Sequence, residues 1–599
     1  MKKTKISLVA SFLIATNLYS QTTLEEISIT SATKSEQKLR DVTANVDVIT
    51  AQEIEDRKFK TVSEALQTIP GIQVSPSGGI GQQTSLFLRG MDSHRTLVLI
   101  DGVRYNDITS PNGTANFEHL MINDIERIEV IKGAQSSIWG ADASAGVINI
   151  IAKSAKDGTH GNATVEYGRY NSKTAKANIS HKDKNFDAKL SATRVDTDGF
   201  SAKVPKDEKL SKYEDDGYEN TTANLKLGYN FDENNRVSTS YEIIDTKVDY
   251  DNFPDDKASQ AKTKTYLANL TYENKNDIAL TKVYTNYTDI KREYSFGEYE
   301  GNVEEYGVNT SIDYLNSSNL TIGGDYKKFE TKKDVLDEYN NKGIFITNTN
   351  KFFDDNTIFT QALRYDKYSD FENKTTGKIG IKQYIIDELN VSSNYGTGYN
   401  VPTISQLFGQ WGANPDLNPE KTKSYDLGIE YKGLSITYFN NKVENMIDWV
   451  TIPQSWDGAY NNIEGKSKIK GVEIAYKNYI TQDVLLNFNY TNLSAKNDKD
   501  EYLAKRAKNK VGFGVDYYGL KDFHFNVNGE YVGTRYDRID QQGAKTGNYT
   551  IWNAVVDYDI NKTFSTYVKL DNIFDKDYQV VDGYATSQRA AYLGLKASF

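Results

Sequence analysis

The side chains that could do chemistry in this chain are amides, hydroxyls and carboxylates gathered in loops. Residues 71–85, GIQVSPSGGIGQQTS, set glycines among hydroxyls and glutamine amides. Such a loop can simply turn the chain, or it can present backbone and amide groups to a large polar ligand. It lacks the Lys-Ser/Thr pair with which a glycine loop cradles phosphate, which excludes nucleotide binding there. Residues 107–117, DITSPNGTANF, form a second loop of this kind. The five histidines, at 94, 119, 160, 181 and 524, are scattered, and His94 beside Asp92 reads as settling a turn, not as a base. With no cysteine in the chain, disulfides and thiolate metal sites are excluded. The chemistry in prospect is recognition without covalent catalysis.

These loops must be held by something rigid. Short β-branched runs at residues 86–88, 97–100, 125–131 and 146–151 are separated by the glycine-bearing turns Arg89-Gly90, Asp101-Gly102 and Lys132-Gly133. Ile54, Val62, Leu66 and Ile69 recur near helical spacing and Pro70-Gly71 ends the pattern, which predicts one helix over residues 50–69. Residues 42–155 therefore read as a small α+β domain.

From about residue 160 the hydropathy pattern has period two. Leu427, Ile429 and Tyr431 alternate with Asp426, Gly428, Glu430 and Lys432; Val511, Phe513, Val515 and Tyr517 alternate with Gly512, Gly514 and Asp516. Leu593, Leu595, Ala597 and Phe599 share one face of the last run. Strands with one unbroken apolar face suit a barrel whose outside meets lipid and whose lumen is polar. The mean hydropathy of −0.63 does not oppose this, because only alternate residues need be apolar. Past the N-terminus no apolar run reaches the length of a membrane helix, roughly 18–20 residues. The 42 tyrosines against 24 phenylalanines fit rings gathered at two water boundaries. A soluble β-sandwich array or propeller is the alternative on composition. At roughly 20 residues per strand and connection, residues 160–599 predict about 22 antiparallel strands, a size whose lumen needs a plug. Closure would also leave no unpaired edge in lipid. The net charge of −11 excludes a general nucleic-acid binder.

Residues 1–20 carry Lys2, Lys3 and Lys5, an apolar middle and Ser20 before Gln21, the pattern of a secretory signal. Residues 24–33, LEEISITSAT, alternate, with Ile27 and Ile29 on one side, and the charged stretch KSEQKLRD follows. An extended segment of this sort can add to another protein's sheet edge or serve as the first strand of its own domain.

The phrases LFLRGMDSHRTLVLIDGV and IERIEVIKGAQSSIWGADASAGVINII, then GYNVPTISQLFG with NPDLNPEKTKSYDLGIEY, then LDNIFDKDYQ, resemble the TonB-dependent outer-membrane receptors over essentially the whole mature chain. The resemblance implies an all-β membrane protein: a transmembrane barrel (residues 160–599) with the N-terminal α+β plug (42–155) in its lumen. It implies a bacterial outer-membrane location and a monomer in contact with outer-membrane lipid. Residues 21–41 become a TonB box with a flexible linker, the box being Glu26, Ile27, Ser28, Ile29, Thr30 and Ser31. Its wording departs from the family's usual DTLVVTA type but keeps the alternation. TonB, with its inner-membrane energising complex, is the implied partner, since the outer membrane offers neither ATP nor a useful potential.

Within the family, residues 414–423, 468–473, 505–508, 531–537 and 572–584 are most similar to the cobalamin receptors, which implies cobalamin (vitamin B-twelve) as cargo. That family's cargo contacts carry across to Gln83, Ser85, Asp92, Ser110, Pro111, Asn252, Lys505 and Asp540. Residues 110, 111, 252 and 540 keep the place but not the residue type. Cobalamin receptors order two loops with calcium. KYEDDGY (212–218) and DYDNFPDD (249–256) resemble those loops, so Glu214, Asp216, Tyr250, Asp251, Asp255 and Asp256 are the implied calcium ligands, with Ser201 at a position expected to be acidic. The expectation is active cobalamin import. Its rivals are a siderophore or haem receptor of the same family, a passive porin or adhesin and, more distantly, an extracellular enzyme.

Overall fold

The computed structural model describes residues 27–257, 259–451 and 458–599. The signal expected over residues 1–20 and the box residue Glu26 lie outside them. The period-two alternation produces a closed barrel of 22 strands, from Gly158–Gly168 to Ala590–Ser598, every neighbouring pair antiparallel. The seam closes on pairs such as Val165 with Leu595 and Tyr167 with Leu593. Outward residues are bare in the isolated chain: Leu427 is 44% exposed and Leu595 45%, while the lumenal Asp426 is 3% exposed. A barrel open at its edge could not satisfy these backbone groups in hydrocarbon. The strands run from 8 residues (Phe564–Asp571) to 22 (Gly458–Tyr479), and many exceed the roughly 9–11 that cross a bilayer. The excess extends toward one end, which carries long loops such as 198–217 and 401–419; tight turns such as 183–185 and 432–433 occupy the other.

The plug fills the lumen. Val46–Thr50, Ile125–Lys132, Gly146–Ala152, Thr96–Ile100 and Val103–Arg104 form one mixed sheet, with Thr96–Ile100 parallel to Gly146–Ala152. A hairpin, Ile72–Pro76 with Thr84–Leu88, projects the glycine-rich loop toward the long-loop end. Plug residues Leu66, Leu88, Ile128 and Ile148 share one core with the inward barrel residues Ile244, Phe439, Ile469 and Leu493.

Two expectations change here. The single helix expected over residues 50–69 is two, α1 (Ala51–Arg57) and α2 (Val62–Gln67). Lys58 at φ 49° stops α1, and the Thr61 hydroxyl accepts from Glu64 N to start α2. The leading segment, expected to be loose, is packed: Ser28–Ile29 pairs antiparallel with Gln37–Lys38, and Ile29 is fully buried.

Candidate functional site

Buried ion pairs tie the plug to the barrel wall on several sides, Asp107 with Arg292 at 3.0 Å and Asp124 with Lys189 at 2.7 Å among them, and the bidentate ones stand on the strands that carry Glu420 and Glu473. The Arg89 guanidinium donates to both oxygens of Glu473 at 3.0 and 2.9 Å, and Arg95 donates to both oxygens of Glu420 at 2.9 and 2.6 Å. Bidentate geometry makes these the strong form of the interaction. Asp92 lies between Arg95 (2.8 Å) and Arg506 (2.6 Å). Burial alone would raise its pKa, but the Arg506 and Arg95 charges hold it well below the usual carboxylate range. His94 lies in the short turn helix Ser93–Arg95, where its ring is 3.6 Å from Glu420 and its carbonyl accepts from Asn400.

The leading segment is latched at the tight-turn end. Ser31 donates its hydroxyl and backbone N–H to Glu129, and its carbonyl accepts from Trp139 Nε1 at 2.9 Å. Lys34 Nζ sits 3.6 Å from Asp325 and about 4.8 Å above the Trp139 ring. Asp325 in turn accepts two bonds from Arg364.

At the long-loop end the residues expected to contact cargo form three groups. Gln83 is exposed at the tip of the plug hairpin and Ser85 is half-buried opposite Ser75. That tip packs on the loops at residues 198–217 and 250–259: Gln82 donates to Asp249 O, and a Cβ on Gly81 (φ +85°) would lie 2.2 Å from the Tyr218 ring. Asn252, in the second of these loops, donates to Asp256 and Ser259. A second group holds Asp92, Lys505, whose carbonyl accepts from Gln73, and exposed Asp540, whose N–H reaches Tyr502 O. Ser110 and exposed Pro111 form the third group, where Pro111 O accepts from Thr403.

Of the residues expected to hold calcium, Glu214, Asp216 and Asp251 lie together, with one carboxylate oxygen of each within 4.8 Å of the others. Both Glu214 oxygens, Asp251 Oδ1 and Tyr250 OH are buried without a hydrogen-bond partner. Such orphaned oxygens are costly unless a cation takes them. Burial first, with Asp255 and Asp251 adding to it, pushes Glu214 up to about 7; burial and Asp251 push Asp216 up to about 8. Ser201 donates to Asp251 Oδ2 and so supports the cluster without adding charge. Asp256 is turned away, accepting from Asn252 and Ser259, and Asp255 also pairs with Lys257. Glu214, Asp216, Asp251 and Tyr250 thus fit a hard cation, and Asp256 fits it least.

A corked 22-strand barrel with long loops at one end and a latched segment at the other has the architecture of a plugged membrane receptor. Residues 153–573 match the model of the TonB-dependent receptor-like β-barrel, and residues 38–147 match the TonB-dependent receptor plug domain. The chain belongs to the TonB-dependent receptor family, whose members are outer-membrane transporters that work with TonB, not enzymes. Similar folds occur in the siderophore receptor PirA of Acinetobacter baumannii (18% identity, TM-score 0.81, 92% of this chain and 98% of that one). They also occur in the ferric enterobactin receptor PfeA of Pseudomonas aeruginosa (17%, 0.79, 96% and 100%). The ferric-catecholate import receptor Fiu of E. coli is a third (16%, 0.78, 94% and 98%). At these identities the likeness speaks to fold.

Proposed function

We propose that this receptor imports a large, scarce metal chelate of the ferric-siderophore kind, driven by TonB. The observation that carries uptake is the closed barrel around an ion-paired plug, which leaves diffusion no open lumen and requires work to clear one. The siderophore class is supported by the neighbours of the same architecture, which are siderophore receptors. This corrects the order of the expectations, since cobalamin becomes the second reading. One observation favours it: the orphaned oxygens of Glu214, Asp251 and Tyr250 sit in the two loops that resemble the calcium loops of cobalamin receptors. Bound calcium would neutralise these carboxylates and tie the two loops together beside the plug hairpin.

Cargo would meet the amide of Gln83 and the hydroxyl of Ser85 at that hairpin, with Asn252, Asp92, Lys505, Ser110, Pro111 and Asp540 around the rim. TonB would grip residues 26–31 once Ser31 and Lys34 let go. The deciding measurement is equilibrium binding of a labelled ferric catecholate and of labelled cobalamin to the purified receptor, each with and without calcium. Saturable ferric catecholate binding is expected; binding of cobalamin alone would replace the first reading with the second, and binding of neither would end both.

A further inference from the structure

At the tight-turn end, four ionisable side chains from plug and barrel meet. Asp516, His524 and Asp557 stand on three neighbouring strands, Asn509–Tyr517, Phe523–Val532 and Tyr549–Asp559, with His524 directly opposite Asp557 in the register. Asp56 comes from α1 of the plug. One ligand atom from each of Asp56, Asp516 and His524 lies within 4.8 Å of the other two. Asp56 and Asp516 are buried, and His524 keeps only 11% of its side-chain surface exposed.

Both ring nitrogens of His524 face carboxylates: Nε2 is 3.1 Å from Asp516 Oδ1, and Nδ1 is 3.2 Å from Asp557 Oδ2. A neutral imidazole has one N–H and one lone pair, so one of these contacts would set a lone pair against an anion. The cluster therefore calls for a cation, either a second ring proton or a metal ion. Charge separates the two. Among the described residues, His524 and Lys58, 2.7 Å from Asp557, are the cations within ion-pair distance of these three carboxylates. Glu55, which shares Lys58, has Lys596 as well. A second ring proton leaves one buried negative charge uncompensated, which is costly, whereas a divalent ion beside a neutral ring leaves none. Asp56 Oδ1 lies 3.8 Å from Nδ1, beyond hydrogen-bond reach, so a ring proton does not satisfy it directly.

Outer partners hold the cluster in place. Gln52 Nε2 donates to Asp56 Oδ1, Tyr518 OH to Asp56 Oδ2 and Asn526 Nδ2 to Asp516 Oδ1, each at 2.7 Å. The Tyr518 ring also stacks on the imidazole, with centroids 4.8 Å apart. With its proton on Nδ1 and donated to Asp557, the ring turns a free Nε2 lone pair toward Asp516, the arrangement by which a carboxylate orients a metal-ligating histidine. We propose that Asp56, Asp516 and His524 bind a divalent transition ion of the zinc class, which staples plug helix α1 to the barrel wall. One imidazole nitrogen with two carboxylates is a mixed donor set that suits zinc, whereas calcium takes oxygen alone. Asp56 belongs to the plug and the other two ligands to the wall, so an ion held by all three favours the seated plug. The site is independent of the cargo imported and of the acidic loops at the other end.

The test titrates zinc into the purified full-length receptor in detergent, with excess calcium present to fill the acidic loops. Saturable binding of one zinc per receptor is expected, together with slower amide exchange over residues 51–57. His524→Gln should abolish both effects. Asp557→Asn, which removes only the partner that orients the ring, should weaken zinc binding by roughly tenfold to a hundredfold. Should His524→Gln fail to fold, Asp56→Asn replaces it, since the amide keeps an oxygen for Tyr518. No saturable zinc binding, binding undiminished in these variants, or binding that leaves exchange over residues 51–57 unchanged would each overturn the staple. The first of these is the result a ring proton acting as the sole cation would give.

Discussion

Arg95 has 1% of its side-chain surface exposed and spans from the plug to Glu420, so its loss strands a buried carboxylate. Arg95→Ala should destabilise the protein by about 3–5 kcal/mol, and Arg95→Ala/Glu420→Ala by clearly less than the two single changes summed. Denaturant unfolding in detergent reads both. At the latch, Lys34→Ala removes the cation that joins the leading segment to Asp325, while Arg364 keeps Asp325 paired. The leading segment should exchange its amide hydrogens faster and bind the TonB C-terminal domain more tightly, with the barrel's exchange unchanged. Unaltered exchange at residues 27–33 would show that Ser31 and Glu129 hold the latch by themselves. None of these partnerships is legible in the chain. Arg89 and Glu473 are 384 residues apart, and nothing local to either names the other. What alternation does reveal is the class of residue involved: a charge such as Asp426 between outward Leu427 and Tyr425 must face a polar lumen.

Among the elements, the two acidic loops carry a pH dependence. Glu214 and Asp216 ionise only near pH 7 and 8 in the folded protein, above their values in an unfolded chain. Their contribution to loop stability is therefore present at low pH and lost as pH rises toward those values, because burial penalises the ionised carboxylates and their neighbours repel them. Without calcium, hydrogen exchange in residues 198–217 and 250–257, corrected for its intrinsic pH dependence, should quicken as pH rises from the ordinary carboxylate range (~4) to about 8 and level off above it. Calcium should reverse the effect at high pH and release protons on binding; exchange indifferent to both would refute the site. At the plug hairpin, Gly81 holds φ +85° against Tyr218, so Gly81→Ala should push the tip off the wall and weaken cargo binding with little loss of global stability. Sequence resolved these elements unevenly. The four β-branched runs all became strands, but of the loop expected over residues 71–85 only 77–83 is loop, since Ile72–Pro76 and Thr84–Leu88 pair as a hairpin around it. The break between α1 and α2 was missed because Val62 and Leu66 continue the apolar spacing through it, while the capping bonds of Thr61 that restart the helix are quiet in composition.

For the whole molecule, strand count follows from length and period, and the plug from the lumen that count encloses; both were readable before any coordinates. Cargo was not, because the eight residues expected to touch it lie in different loops of plug and barrel, and four of them keep the place but not the residue type. Removing residues 27–33 should abolish uptake in cells while equilibrium cargo binding by the purified receptor persists, since the two ends of the barrel do separate tasks. Equal loss of both would mean that the leading segment supports the fold itself. The seam has one more consequence. The strand beginning at Gly158 pairs with a partner more than 400 positions later, so the cylinder cannot shut until its last strand is in place. The plug that carries Arg89 and Arg95 precedes the barrel in the chain and must already be nested when that last zipper closes. Biogenesis is thus a matter of timing: a variant slow to fold its first 150 residues would be shut out of its own shell.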